Sequence, residues 1–243
     1  MNIIKLDAID STNDFLKKLS QTDSLKNLTV VTAKSQTNGK GQMGEKWLSE
    51  PCKNLIMSIL IKDLLLDINA IFTLNVAVAL SIIELLESLK IPHLAIKWPN
   101  DIVAENKKIG GILIENSIKS NGTIESVVGI GLNVNQINFE NLPNASSIKC
   151  ILNKDFDLDE ILIKIINEIK STLSVLKNDN SDFLWEKYNA KIYKIGIPMP
   201  FEDASKKRFM GIIQQVKKNG QLELLLEDDS LKCFQIKEIQ MLY

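Results

Sequence analysis

The stretch Gln36-Thr-Asn-Gly-Lys-Gly-Gln-Met-Gly-Glu-Lys-Trp47 sets Gly39, Gly41 and Gly44 in a GxGxxG spacing, with Lys40 and Lys46 among them. A dinucleotide fold needs a helix directly after such a run, so that a helix N-terminus meets the pyrophosphate. Here Trp47-Leu-Ser-Glu-Pro51 leads into the apolar run Asn54 to Ile61, and Pro51 discourages a helix between them. A phosphate loop of the GxxxxGK[ST] type needs lysine after its last glycine, where this chain has Glu45. What remains is a glycine-rich loop whose backbone N–H groups can close around an anion, with two lysines for charge. The plain alternative is a mobile surface turn.

Two further clusters could carry chemistry. Lys97-Trp98-Pro99-Asn100-Asp101 is followed by Lys107-Lys108-Ile109-Gly110-Gly111-Ile112-Leu113-Ile114-Glu115. Pro99 holds Trp98 extended and Asn100-Asp101 can turn the chain, so amide and charged groups are displayed at a strand edge. Lys108 opens an otherwise apolar strand beside glycines where backbone can approach a ligand. Its compact ammonium could neutralise a phosphate or carboxylate; a solvated hairpin tip is the alternative. Gly129-Ile-Gly131-Leu-Asn133-Val-Asn135, with Asn144-Ala145-Ser-Ser147 after it, again puts glycines inside a β-branched run. That suggests something packed on the backbone, or a bulge beside a turn.

The elements that must position these residues are mixed. Periodicity predicts strands near Ile3 to Leu6, Thr29 to Ala33 and Asn54 to Ile61, and helices over Thr12 to Leu19 and Asp67 to Leu89. Asp101 to Glu115 reads as a hairpin turning at Glu105-Asn106-Lys107, and Glu125 to Val134 as another strand, which favours an antiparallel or mixed sheet. Apolar residues at Leu158, Ile161, Leu162, Ile165, Ile166 and Ile169 predict an amphipathic helix over Asp157 to Leu176, and a shorter helix follows near Asp182 to Tyr188. From Gly196 the texture becomes short strands: Gly211 to Val216, a two-residue turn at Asn219-Gly220, Gln221 to Glu227 and Leu231 to Ile239. The expected fold class is α+β, a mixed-sheet domain over 1–192 followed by a small SH3-like β-barrel over 193–243.

Composition excludes several functions. With 29 Lys+Arg against 30 Asp+Glu in 243 residues, the chain has no electrostatic pull toward nucleic acid or an anionic membrane. Cys52, Cys150 and Cys233 are odd in number and form no CxxC, which argues against a disulfide framework or a zinc site and fits a reducing cytosol. His93 is the only histidine, so a His pair is excluded. The amino-terminal MNIIKLDAIDSTN carries acids before any apolar core, unlike a signal peptide. The most apolar run, Ala70 to Ile83, is broken by Thr73, Asn75 and Ser81, and is better suited to a buried helix than to a bilayer.

Taken in order, Asp10-Ser-Thr-Asn13, the glycine loop from Gln36 to Trp47, Lys53-Asn-Leu55, the KWPND of Lys97 to Asp101, the strand from Lys108 to Glu115, GIGLNVN and Ala145-Ser-Ser147 resemble the biotin–protein ligase family. The resemblance implies ATP-dependent biotinylation of a lysine on a biotin carboxyl carrier domain through biotinyl-5'-AMP, with Mg²⁺ screening the triphosphate. It implies a cytoplasmic enzyme acting on no nucleic acid and no membrane, and allows a homodimer. Because the motifs begin at Asp10, the form without an amino-terminal DNA-binding domain is expected.

By that resemblance Lys108, Asp101 and Lys40 are the catalytic candidates. Biotin is assigned to Ser11, Thr12, Asn13, Gln36, Gly39, Gly41, Gln42, Trp47, Gly111 and Gly131. The nucleotide is assigned to Lys40, Met43, Trp47, Asn100, Lys108, Asn133 and Ala145, while the metal ligands stay open. Family loops often carry arginines; here the only arginine is Arg208, so bidentate phosphate forks are missing and a less firmly held adenylate is expected. The rival functions are a lipoate ligase, an octanoyl transferase and a noncatalytic biotin-binding module. No motif activates Cys52 or Cys150 as the nucleophile that an octanoyl transferase needs.

Overall fold

The computed structural model describes residues 2–22, 24–62, 64, 71–119, 122–140, 142–177 and 181–242, excluding the side chains of Met43 and Lys177. Its larger sheet comprises β1 (Ile3–Ile9), β2 (Val30–Gln36), β3 (Leu55–Lys62), β4 (Ala95–Lys97), β5 (Asp101–Ala104), β6 (Lys107–Ile118) and β7 (Ile124–Leu132), in the order β1-β2-β3-β7-β6-β5-β4. β1 and β2 are parallel and every other pairing in it is antiparallel, so the expected mixed sheet is found. Glu105 and Asn106 both take positive φ, 50° and 59°, which closes the β5–β6 hairpin with the primed turn that suits twisted strands.

Strand alternation splits this sheet into two faces. Leu55, Met57, Ile59 and Ile61 of β3 join the main core with α2 (Ile71–Ser88) and α4 (Leu158–Lys177), whereas Leu60 packs with Leu16 of α1 (Thr12–Thr22), Val31 and Val127 on the other side. The start expected for α2 at Asp67 lies outside the described residues. By length and composition α2 could cross a membrane, but Leu74, Val78, Ile82 and Leu86 are fully or almost fully buried in the core. Amphipathic α4 buries the expected Ile161, Leu162, Ile165, Ile166 and Ile169, and α5 (Ser181–Ala190) buries Leu184, Trp185 and Tyr188. Ahead of them in the chain, α3 (Ile148–Leu152) is a short helix capped by the Ser147 hydroxyl, which accepts from Cys150 N at 3.1 Å.

The α1 face of the sheet is unusual in being lined by small residues. Ser58 of β3 pairs with Gly129 of β7, and Gly129 with Leu113 of β6; one step along, Ile56 pairs with Gly131 and Gly131 with Gly111. The result is a hollow on a sheet that is elsewhere packed with Ile, Leu and Val.

The second sheet is wholly antiparallel: β8 (Pro198–Asp203), β9 (Arg208–Val216), β10 (Leu222–Leu226), β11 (Leu231–Phe234) and β12 (Ile239–Met241), in the order β11-β10-β9-β8-β12. Phe201, Phe209 and Phe234 stack through its core with centroids 5.9 and 5.8 Å apart. The β9–β10 turn differs from the expected two-residue form. Lys217 N donates to Gln221 O at 2.8 Å, enclosing three residues, and of Asn219 and Gly220 only Gly220 has positive φ, +85°. The connecting segment also covers an edge: Ile96 N donates to Lys191 O and Tyr193 N to Ile96 O, both at 2.8 Å, sealing the outer side of β4.

Candidate functional site

A cleft of about 510 Å³ opens on the hollow face of the large sheet and is bordered by residues of both sheets. One end is polar and buried. Ser11, Thr12 and Asn13, at the start of α1, are 2%, 3% and 3% exposed, so their polar groups must be satisfied from within. Thr12 donates to Gln36 Oε1 from its backbone N at 2.8 Å and from its hydroxyl at 3.0 Å. The Ser58 hydroxyl lies 2.8 Å from Thr12 Oγ1 and 2.6 Å from Asn13 Oδ1, and Asn13 Nδ2 donates to Glu115 Oε2 at 3.0 Å. Asn13 can come this close to β7 because position 129 is glycine: a Cβ there would lie 2.4 Å from Asn13 Oδ1.

The glycine loop folds over this end. Lys40 and Lys46 form an antiparallel bridge, Trp47 N donates to Gly39 O at 2.9 Å and Gly41 N to Glu45 O at 2.6 Å. The bridge aims Trp47 back at the sheet, where its indole lies on the Gly111–Gly131 pair. A Cβ on Gly131 would fall 2.4 Å from Trp47 Cε2, and one on Gly111 3.3 Å from Cζ3. Trp47 Nε1 is buried without a protein acceptor among the described residues, a donor that only a ligand or water can satisfy.

Charge gathers at the other end. The Trp98–Pro99 peptide is cis, and the loop it belongs to is clasped on both sides: Asn75 Nδ2 donates to Pro99 O at 2.9 Å, Asn100 Nδ2 to Ile112 O at 2.6 Å, and Ile112 N to Asn100 O at 3.0 Å. Asp101 then meets Lys108, with Nζ 2.6 Å from Oδ1, and the same ammonium lies 5.7 Å from the centroid of the Trp47 ring. Lys97 lines the cleft nearby. Burial pushes its amine down to about 8, Asp101 works against that shift, and Lys108 adds to it.

Most of the residues singled out in the sequence therefore meet in one cleft: Ser11, Thr12, Asn13, Gln36, Lys40, Gly41, Gln42, Trp47, Asn100, Asp101, Lys108, Gly111 and Gly131 all line it. Lys40 there is held by Asp14, with Nζ 2.7 Å from Oδ2. Three others do not line it. Gly39 borders a separate groove on the far side of the loop. Asn133 is buried, donating its amide to Ser146 O at 3.0 Å, and Ala145 is bridged to Lys108; both brace the Lys108 strand from behind. The Met43 side chain lies outside the described residues. His93 pairs with Glu105 Oε1 at 2.7 Å and is not among the cleft residues.

Sequence reasoning named Lys97 and Trp98 only as members of the KWPND cluster, with no role of their own, and passed over Ser58 and the contribution of the second sheet, which brings Phe201, Glu202, Lys206 and Lys237 to the rim. Ser58 had a visible signal, being the one polar residue before the closing lysine in the run LIMSILIK.

Residues 6–135 match the sequence model of the biotin/lipoate A/B protein ligase family. The chain belongs to that family. Three proteins show where in the biotin/lipoate ligase family its likeness lies. The biotin protein ligase from Aquifex aeolicus, solved in complex with biotin and ATP, is 29% identical and superposes with a TM-score of 0.81 over 99% of this chain and 98% of that one. The bifunctional ligase/repressor BirA of Escherichia coli is 28% identical across 95% of this chain and 70% of its own length. The biotin--[acetyl-CoA-carboxylase] ligase of Mycobacterium tuberculosis is 26% identical across 79% of this chain and 71% of its own. By these likenesses the protein is an enzyme, a ligase of the biotin protein ligase type.

Proposed function

We propose that this ligase joins biotin to a lysine of a biotin carboxyl carrier domain in two steps, with residues 1–192 forming the catalytic unit and 193–243 a small accessory domain. In the first step a carboxylate oxygen of biotin attacks the α-phosphorus of ATP and pyrophosphate leaves, giving biotinyl-5'-AMP. In the second the acceptor amine attacks the acyl carbon, AMP leaves and the amine's extra proton is lost. Mg²⁺ arrives with the triphosphate as part of the substrate.

The observation that carries this reading is that one continuous cleft joins a buried polar pocket, an indole wall and a lysine–aspartate pair. A ureido ring is uncharged and asks for a few fixed polar groups, which Ser11, Thr12, Asn13 and Gln36 supply, while its apolar tail suits Trp47 on its glycine ledge. A carboxylate approaching a triphosphate meets like charge, so preorganised cations must stand where that charge builds up. Lys108 and Lys97 answer that need, Lys40 adds to it from the loop, and Asn100 shapes the loop beneath the nucleotide. Asp101 holds the Lys108 ammonium in place and is the carboxylate nearest to receive a proton from the acceptor amine, whose ordinary pKa is about 10.4.

Pyrophosphate release from ATP on adding biotin, followed by labelling of a carrier domain, is the direct test. Lipoate should not replace biotin. Release with lipoate alone would transfer the proposal to the other ligase branch of the family.

Lys97 gives the reaction a pH signature. Its lowered pKa means that burial makes the ammonium costly in the empty cleft, and the negative charge of a bound triphosphate raises the pKa again. ATP binding should therefore take up a proton at and above pH 8, and ATP affinity should fall as pH rises through about 8, by up to about tenfold per unit beyond it. Calorimetry in two buffers of different ionisation heat measures that uptake, and Lys97→Met should abolish it. Uptake that persists in Lys97→Met assigns the proton elsewhere.

A further inference from the structure

The second sheet reaches the Trp98 loop through a backbone carbonyl as well as through the side chains at the rim. The Gly220 carbonyl, in the β9–β10 turn, accepts from Trp98 Nε1 at 2.9 Å across 122 positions of sequence. Nothing larger than glycine fits that place: a Cβ at Gly220 would lie 2.5 Å from Phe72 Cδ2 and 2.8 Å from its Cγ, and φ is +85°. Phe72 cannot easily yield, because its ring packs on Trp185 and Tyr188 with centroids 5.9 and 6.2 Å away. The strand leading into the turn is pinned as well, since Asn189 accepts from Val216 N at 2.7 Å and donates to Val216 O at 3.2 Å.

Helix α2 thus grips both partners. Phe72 seats the turn, and Asn75, three residues on, holds Pro99 O beside the Trp98 that the turn engages. Directly after these come Asn100 and Asp101, the residue that orients Lys108.

We infer that Gly220 is a positioning residue for adenylate formation: its carbonyl fixes the Trp98 indole, so that seating of the second sheet on α2 sets the Asp101–Lys108 geometry. This rests on the ligase reading above. Misplacement by about 1 Å costs on the order of a hundredfold in rate when groups must meet in line. The biotin pocket at Ser11, Thr12 and Gln36 is built from other elements and should not notice the change.

The test is a cycle of Trp98→Phe, Gly220→Ala and both together, with biotin-dependent ATP–pyrophosphate exchange, biotin Kd and Tm measured for each. Trp98→Phe keeps a ring but loses the donor, and should lower kcat about ten- to a hundredfold with biotin Kd within twofold of wild type. Gly220→Ala should do the same, and adding it to Trp98→Phe should cost little more, because both break one link. Wild-type kcat in Trp98→Phe, or equal losses in kcat and biotin affinity, overturns the inference; if Gly220→Ala fails to fold, Trp98→Phe decides it. Absence of exchange in the wild type instead removes the ligase reading.

Discussion

Lys108→Ala is expected to slow biotin-dependent pyrophosphate release about a thousandfold while leaving the fold and biotin affinity nearly intact. Its backbone is held independently of its side chain, with Lys108 N donating to Asn144 O at 2.7 Å and Lys108 O accepting from Ser146 N at 2.9 Å, so the strand survives truncation. What disappears is the ammonium 2.6 Å from Asp101 Oδ1. One lost preorganised donor at developing charge is worth about 10²–10³ in rate. A second penalty adds to it, because Asp101 then faces the triphosphate as an unscreened anion. Lys108→Ala combined with Asp101→Asn should accordingly be faster than Lys108→Ala alone, a gain that a purely structural lysine would not give. Lys108→Arg should recover only part of the rate, since a planar fork does not reproduce a point charge at the same place. Unchanged carrier labelling by Lys108→Ala would favour a noncatalytic biotin-binding module.

Local patterns exposed the scaffold, whereas contacts between distant segments did not. The apolar run of Leu55 to Ile61, the spacing along α4 and the Glu105-Asn106 turn each follow from neighbours in the chain, and the structure has them within a few residues of where the sequence pattern puts them. β8 was unexpected because Pro198 and Pro200 argue against a central strand. They are tolerated because β12 pairs only with Phe201 to Asp203, leaving the prolines with β9 on one side and a carbonyl contact from Leu242 N on the other.

In the site, Gly111, Gly129 and Gly131 announce a close approach, but sequence does not say what approaches: Asn13 comes to one and Trp47 to the other two. The lowered pKa of Lys97 and the link from Trp98 to Gly220 are products of tertiary burial, so a motif that names both residues still conceals them.

Gly131→Ala should weaken biotin binding by two orders of magnitude or more, although it adds a single methyl group. That methyl would lie 2.4, 2.6 and 2.9 Å from Trp47 Cε2, Cζ2 and Cδ2, far inside van der Waals contact. The backbone cannot retreat, because Gly131 is paired on both sides, with Ile56 of β3 and Gly111 of β6, in the middle of the sheet. The indole must therefore leave its ledge, and since Trp47 N is tied to Gly39 O the glycine loop must move with it. Removing that wall costs the ligand its largest apolar contact, and a two-order loss corresponds to about 2.7 kcal/mol. Gly111→Ala provides the graded control: its methyl would lie 3.3 Å from Trp47 Cζ3, tight by a few tenths of an ångström, and in ordinary contact with Lys108 Cε at 3.5 Å and Asp101 Oδ1 at 3.7 Å, so its affinity should fall between wild type and Gly131→Ala. Trp47→Ala should bind as weakly as Gly131→Ala, and the double variant no more weakly than either, because both changes remove the same wall. Titration calorimetry with biotin measures all four. Losses that simply add would show that Gly131 acts on the ligand directly and that Trp47 is not the wall of the pocket.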